Sequence, residues 1–484
     1  MTRINTNVQS LIARRAVRVN NLSLNTALER LSTGLRINSG KDDPAGLIAS
    51  ETLRSSIRAI STAIDNANRA DTIVAVAEGG LQEISSLLLN LENLIDQTAN
   101  EAGLTPEEVQ ANQLQIDSIL ESIDRLAEAT AFGNRKLLNG TFDFTTSGVN
   151  VNTTTGSSLN DLANVQINGA KVPPGSSRSV NIEVVAPSEV AMISATPAGA
   201  GGTIDGATTL QVRGNFGSET LSFASGTSAT SIAAAINSSK ELTGVSATVS
   251  GNAIVFQSTS YGSDAFVSVS VLENAATAWT SQAAEVDDYG TDGTVTINGA
   301  NAIVKGLDAS ARTGSLSLDV TLTTEFNQTA GNSTTFDITG GGAVFSISPD
   351  VGLSGQESIG IAEVSASKLG NFNVGFLSSL RSGLTNDLSS KNFASAQRIV
   401  RSAINEIATL RGRLGAFQKD TLASTISALQ IARENVTAAE SAIRDADFAV
   451  ETSNLTRAQI LAAASLSVLQ LSNAQPQSAL SLLQ

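Results

Sequence analysis

The 484-residue chain contains no histidine and no cysteine. Without histidine there is no imidazole base, no histidine ligand for zinc and no histidine-containing catalytic triad. Without cysteine there is no disulfide, thiolate nucleophile or iron–sulfur ligand. A chain of this kind can be unfolded, threaded through a narrow conduit and refolded with no redox step. Aromatic residues are scarce at 4%, and charged residues reach only 15%. Ligand pockets draw on aromatic walls, so the composition does not favour one, and no motif calls for a cofactor or a metal. The expectation is a protein that is not an enzyme.

What takes the place of these residues is small: alanine, serine, threonine and glycine, which suit closely packed helices and Thr/Ser-rich strands. The formal charge is −15. It is concentrated in the middle, where residues 160–360 carry 18 acidic and 6 basic side chains. The ends are near neutral, with Arg14, Arg15 and Arg18 close to the start. So little basic surface argues against nucleic-acid binding, whereas an acidic middle on neutral ends suits a solvated face carried on an association surface. The opening residues lack the continuous apolar core and small-residue cleavage site of a signal peptide. No uninterrupted apolar run of about 18 residues is present, so no membrane insertion is expected.

The chain reads as helical, then strand-like, then helical. Residues 1–35 end in a leucine stripe, Leu24, Leu28, Leu31 and Leu35. Gly34 and Asn38-Ser39-Gly40 read as a break, and Asp42 or Asp43 before Pro44 restarts a helix. The next stripe is long: Leu53, Ile57, Ile60, Ile64, Ala67, Ala70, Val74, Ala77, Leu81, Ile84, Leu88, Leu91 and Ile95. One irregularity around Ala67, Ala70 and Val74 resembles a stammer. At 1.5 Å per residue this stripe runs roughly 65 Å, so it needs partners of similar length. Two are available. Thr105-Pro106-Glu107-Glu108 is a capping box opening a helix with Val109, Ile116, Ile119, Ile123 and Leu126 apolar. Ala396, Val400, Ala403, Ile407, Leu410, Leu414 and Phe417 repeat at fours and threes, and the repeat resumes after Gly415 at Leu422. In the last helix Leu455, Ala458, Ala462, Leu466 and Leu469 make one stripe, with Ile460, Leu461, Val468 and Leu471 off it. A helix apolar nearly all round must be buried, and burial between subunits is expected.

Residues 146–364 change character. They alternate in β fashion, as in Thr294–Ile297 and Phe266–Val271, with a short helix expected near Ser231–Ser238. Two segments look alike, Val165-Gln166-Ile167-Asn168-Gly169-Ala170 and Val295-Thr296-Ile297-Asn298-Gly299-Ala300, and Leu210–Gly214 is a looser match. The fold class is therefore α+β: long coiled-coil-like N- and C-terminal helices packed together, with an inserted β-rich middle. The acidic pairs Asp445/Asp447 and Asp287-Asp288 read as solvated or helix-contacting groups. Arg411, Arg413 and Arg433 read as partners for acidic neighbours, Gly199–Gly202 as a turn, and Trp279 as core.

The segments MTRINTNVQSLIARR, LSTGLRINSGKDDPAGLIASE, AFGNRKLLNG and AIRDADFAVETSNLTRAQILAAASLSVLQLSNAQPQSALSLLQ resemble bacterial flagellin. The likeness covers roughly residues 1–145 and 365–484, and residues 203–270 resemble an insertion motif of flagellins and related filament proteins. The resemblance implies a secreted structural subunit of the extracellular flagellar filament, exported unfolded and polymerising for swimming motility. In it, residues 1–42 with 450–484 form the inner core, including Leu24, Leu28, Leu31, Leu35, Leu455, Ala458, Ala462, Leu466 and Leu469. Residues 43–145 with 365–449 form the surrounding bundle, packed through Leu53, Ile57, Ile60, Ile64, Leu81, Leu88, Ile407, Leu410, Leu414 and Phe417. Residues 146–364 face outward.

The implied partners are copies of the same chain, an export chaperone on the C-terminal helix, and filament cap and hook-junction proteins. The family's surface is also read by an innate immune receptor. Here the usual arginine and glutamate are replaced by Asn90 and Gln115 while Leu94 is kept, so weak recognition is expected. The alternative within this architecture is a hook–filament junction protein, which the TRAQIL…LSLLQ ending and the insertion motif disfavour. A metalloprotease-bearing variant needs a histidine motif the chain lacks, and low aromatic content argues against a sugar-binding middle.

Overall fold

The computed structural model describes residues 6–100, 103–149, 161–173, 175–273, 278–279, 285–372 and 374–481. The first five residues and the last three of the family-like end segments lie outside them. The α+β architecture is as the sequence implies. Helices α1 (Val8–Thr33), α2 (Pro44–Thr98) and α3 (Pro106–Ala129) come first. Short α4 (Ala229–Ser238), α5 (Lys240–Thr243) and α6 (Thr324–Asn327) punctuate the β-rich middle. Then follow α7 (Phe393–Ala416), α8 (Ser424–Arg444) and α9 (Phe448–Ser481).

Local chemistry sets the helix ends. Asn7 caps α1, its Oδ1 accepting from the Ser10 amide at 3.0 Å, and Gly34 stops the helix in a left-handed conformation (φ 71°). Asp43 Oδ1 accepts from the Gly46 amide at 2.9 Å, capping α2 ahead of Pro44. Thr105 and Glu108 close a reciprocal capping box at α3, which satisfies two amides that lack partners at a helix start.

The chain divides into two compact units, residues 1–68 with 347–351 and 423–484, and residues 69–346 with 352–422. In the first, α1 and α9 form an antiparallel pair, joined with α8 and the part of α2 through Asn68. In the second, the rest of α2 packs with α3 and α7 around one continuous core. Val74, Ala77, Leu81, Ile84, Leu88, Leu91 and Ile95 of α2 meet Ile116, Leu120 and Ile123 of α3 and Ile399, Ala403, Ile407, Leu410 and Leu414 of α7, nearly all fully buried. Polar pairs flank this core: Arg401 with Glu92 and Arg411 with Glu78, both at 2.8 Å, and Gln397 with Asp96 at 2.7 Å. Although α2 has no unbroken apolar run, one 18-residue window is apolar enough by composition to cross a membrane. The reason is the dense stripe just described, which neighbouring helices cover.

The repeat of α7 does not pass unbroken into α8. Residues Phe417–Ala423 form a π-helix, which takes about one residue more per turn. The five-residue step from Phe417 to Leu422 is its trace in the sequence.

The β-rich middle holds two modules in the second unit. The first stacks two antiparallel sheets on one core. One sheet orders its strands Ala300–Asn301, Thr294–Ile297, Arg178–Ala186, Ser333–Gly341 and Phe144–Ser147. The other orders them Ile303–Lys305, Asp308–Thr313, Leu316–Leu322 and Leu162–Ala170. The second module is inserted between Ala186 and Thr294. It pairs the sheet of Val190–Ala195, Ala253–Tyr261 and Val245–Ser250 with that of Glu285–Tyr289, Phe266–Glu273, Thr208–Gly214 and Ser218–Phe223, with α4 and Trp279 in its core.

Candidate assembly interface

Within the first unit, α1 and α9 run antiparallel along a seam of small side chains. Ala13 and Ala27 of α1 and Ala458, Ala462, Ser465 and Ser472 of α9 are buried there. Small residues let two backbones approach closely, and polar groups fix their register. Asn7 Nδ2 donates to the Ser472 carbonyl at 2.8 Å, Asn20 Nδ2 to the Leu461 carbonyl at 3.1 Å, and Ser10 Oγ to Asn473 Oδ1 at 2.7 Å. Arg30 pairs with the buried Glu451 at 2.9 Å, and Asn454 Nδ2 donates to the other Glu451 oxygen at 3.2 Å. Where α1 ends, its connector pairs with the one before α9: the Arg36 amide donates to the Arg444 carbonyl at 2.7 Å and the Ala446 amide to that of Gly34 at 2.9 Å. Asp447 then caps α9 through the Ala449 amide at 2.8 Å.

The seam covers one side of each helix and leaves the rest bare. Of the stripe residues, Ala458 and Ala462 are buried, Leu24, Leu31, Leu35, Leu455 and Leu469 are half-buried, and Leu28 and Leu466 are exposed. Val8, Leu11, Ile12, Val19 and Leu22 of α1 are exposed too, as are Phe448, Val450, Ile460, Leu461, Val468 and Leu471 of α9; Ile460 and Leu471 keep 64% and 65% of their surface. A groove of about 490 Å³ runs beside the seam between Val19, Leu22, Arg30, Arg457 and Leu461. Burying such a side chain fully is worth about 1.5–3 kcal/mol, and an exposed apolar face of this extent marks an interaction surface.

The bundle positions fall in both units. Ile60 and Ile64 are buried in the first unit, where Leu53 and Ile57 are half-buried. In the second, Leu81, Leu88, Ile407, Leu410 and Leu414 are buried, and the half-buried Phe417 ring packs 6.1 Å from that of Phe345. Asn90 and Gln115 are exposed and Leu94 is half-buried. Sequence reasoning missed the Arg30–Glu451 pair, although Glu451, the one acidic residue in the sequence of α9, was its signal. It also missed Glu406. That carboxylate accepts from the Gly370 amide at 3.1 Å, and burial pushes it up to about 7. Nearby Arg413 donates to the Gly360 carbonyl at 3.1 Å.

Helical ends that pair with each other yet expose a second apolar face, around an inserted β-rich body, define a structural subunit built for association with its own kind. Family models match the bacterial flagellin N-terminal helical region over residues 4–143, the C-terminal helical region over 398–483 and the flagellin hook IN motif over 209–260. The chain is 29% identical to Flagellin D of Vibrio anguillarum over 485 residues, covering 99% of each. It is also 29% identical to B-type flagellin of Pseudomonas aeruginosa over 526 residues, again covering 99% of each. To Flagellin E of Vibrio cholerae it is 43% identical over 139 residues, 29% of this chain and 36% of that one. The chain belongs to the bacterial flagellin family, the structural subunits of the extracellular flagellar filament.

Proposed function

We propose that this chain polymerises by burying the bare faces of α1 and α9 against the same helices of neighbouring copies. Residues 1–42 and 450–484 would line the inner core, residues 43–145 and 365–449 the bundle around it, and residues 146–364 the outside. The observation that carries this is α9, whose buried side is taken by α1 while Ile460, Leu461, Leu466, Val468 and Leu471 still face solvent. The role is structural and not enzymatic. Delivery is in the unfolded state, with a chaperone holding the C-terminal helix until the chain meets the cap and junction proteins at the growing end; the cysteine-free composition suits that route. Recognition by the innate receptor is weak, because Asn90 and Gln115 replace a charged pairing whose loss commonly costs about 2–5 kcal/mol.

The test is assembly. A chain lacking residues 1–40 and 450–484 is expected to stay monomeric under conditions where the full chain forms filaments by electron microscopy. Filaments from the shortened chain would overturn the proposal. The receptor reading is checked separately in reporter cells, where Asn90→Arg with Gln115→Glu is expected to raise the potency of the monomer.

A further inference from the structure

The second β-module is joined to the first through a short neck. Glu189 and Thr291 exchange backbone hydrogen bonds there at 2.9 and 3.2 Å. The Asp292 carboxylate accepts from the amides of Gly306 at 2.8 Å and Ser263 at 3.0 Å. A Cβ on Gly262 would lie 2.4 Å from the Gly306 nitrogen, and one on Gly290 2.4 Å from the Gly262 carbonyl, so the strands pass with glycine backbone against backbone.

A second attachment lies at Arg398, near the start of α7. Its guanidinium carbon sits 5.0 Å from the centre of the Phe216 ring. Its Nη2 pairs with the Glu241 carboxylate and donates to Ser395 Oγ at 3.1 Å. Phe216 and Glu241 come from separate segments of the module, tied by the Phe216 amide donating to the Thr243 carbonyl at 3.3 Å. Gly244 lies beneath the ring, where a Cβ would come within 3.0 Å of it. An aromatic face and a carboxylate from two segments thus converge on one cation.

We propose that the edge of α7 at Ser395 and Arg398 is a docking surface for the Phe216–Glu241 edge of the second β-module, forming a releasable clamp that holds the module to the helical bundle. The contact has the right strength to release. Glu241 keeps 65% of its side-chain surface and Arg398 28%, so water weakens the pairing, and the ring adds only a modest attraction. Such a contact favours the closed form by about three- to thirtyfold, and salt shifts it toward the open form. Opening leaves the neck as the module's attachment and frees the Arg398 guanidinium from the Phe216 ring and the Glu241 carboxylate. The clamp is a property of the single chain and stands apart from how copies assemble.

Because the chain has no cysteine, two introduced ones label uniquely. Lys240 and Ala394 are both exposed. The full chain carrying Lys240→Cys and Ala394→Cys, spin-labelled as monomer, is expected to give a narrow, short distance distribution by pulsed dipolar spectroscopy. Arg398→Glu should lower the ratio of clamped to free molecules at least about tenfold, and adding Glu241→Arg should restore it, with Trp279 emission reporting that the module stays folded. High salt should broaden the distribution of the parent. An unchanged distribution in Arg398→Glu, no recovery in the charge-swapped pair, or a broad distribution in the parent at low salt would each overturn the proposal.

Discussion

Glu406 shows how far a single residue can depart from what its letter suggests. It lies on α7 under the strand at Gly370, and burial raises its carboxyl from 4.5 to about 7. The folded state therefore holds a proton that the unfolded chain releases near 4.5. This contribution to stability is complete below about pH 4.5 and is lost as pH climbs through 7. Glu406→Gln keeps an acceptor for the Gly370 amide and removes the titration. It is expected to flatten the dependence of Tm on pH between 5 and 8 and to stabilise the chain at pH 8 by at most about 3 kcal/mol, read by thermal unfolding in a pH series. Asp292 has the opposite sign, because hydrogen bonds from Gly306 and Ser263 hold its carboxyl below the usual value; its contribution is present at neutral pH and fades in acid. The capping signals at Asp43 and Thr105 were legible because a cap is local chemistry, and Thr105→Ala should cost about 1 kcal/mol by chemical denaturation. The repeated Ile-Asn-Gly-Ala was not. Asn298 and Gly299 turn a hairpin at φ 53° and 76°, whereas Asn168 and Gly169 run inside a strand, Asn168 donating to Asp319 at 2.6 Å. Pairing with neighbouring strands, not the tetrapeptide, decides between them.

At the scale of elements, periodicity carries a great deal. The α2 stripe could be read because each apolar position returns to one side of a long helix, and its burial against α3 and α7 follows. A cavity at its centre is correspondingly costly, so Leu88→Ala should destabilise the chain by about 2–5 kcal/mol in denaturant unfolding. The π-helix at Phe417–Ala423 was written in the five-residue step to Leu422, but fours and threes on both sides draw the eye past it. Deleting Lys419 would turn the five-residue step from Phe417 to Leu422 into a four-residue step, which regular α-helix keeps on one face. The expected outcome is near-native helical content by circular dichroism with the apolar positions of α8 still in register, so filament formation is retained. Strand order in the two modules was out of reach, since alternation marks a strand without naming its neighbour.

For the whole molecule, the proposed assembly through the bare faces of α1 and α9 ties stability to concentration. A copy with no neighbour spends little to open its ends, whereas a copy in the polymer must first be extracted from it. Limited proteolysis of monomer is expected to trim α1 and α9 and to spare the core that α2, α3 and α7 share, while polymer resists throughout. Leu466→Asp should raise the concentration needed for assembly at least about tenfold, since it places a charge on a face that the proposed assembly dries. The lone Trp279, buried in the second module's core, gives that module its own fluorescence signal.

The neck at Glu189 and Thr291 has a further consequence. Because the chain enters and leaves the second module side by side, the host sandwich experiences roughly a hundred residues much as it would a tight turn. A foreign domain whose own termini lie together could be spliced in there without stretching the strands that receive it, which makes this neck a natural mounting point for displayed cargo.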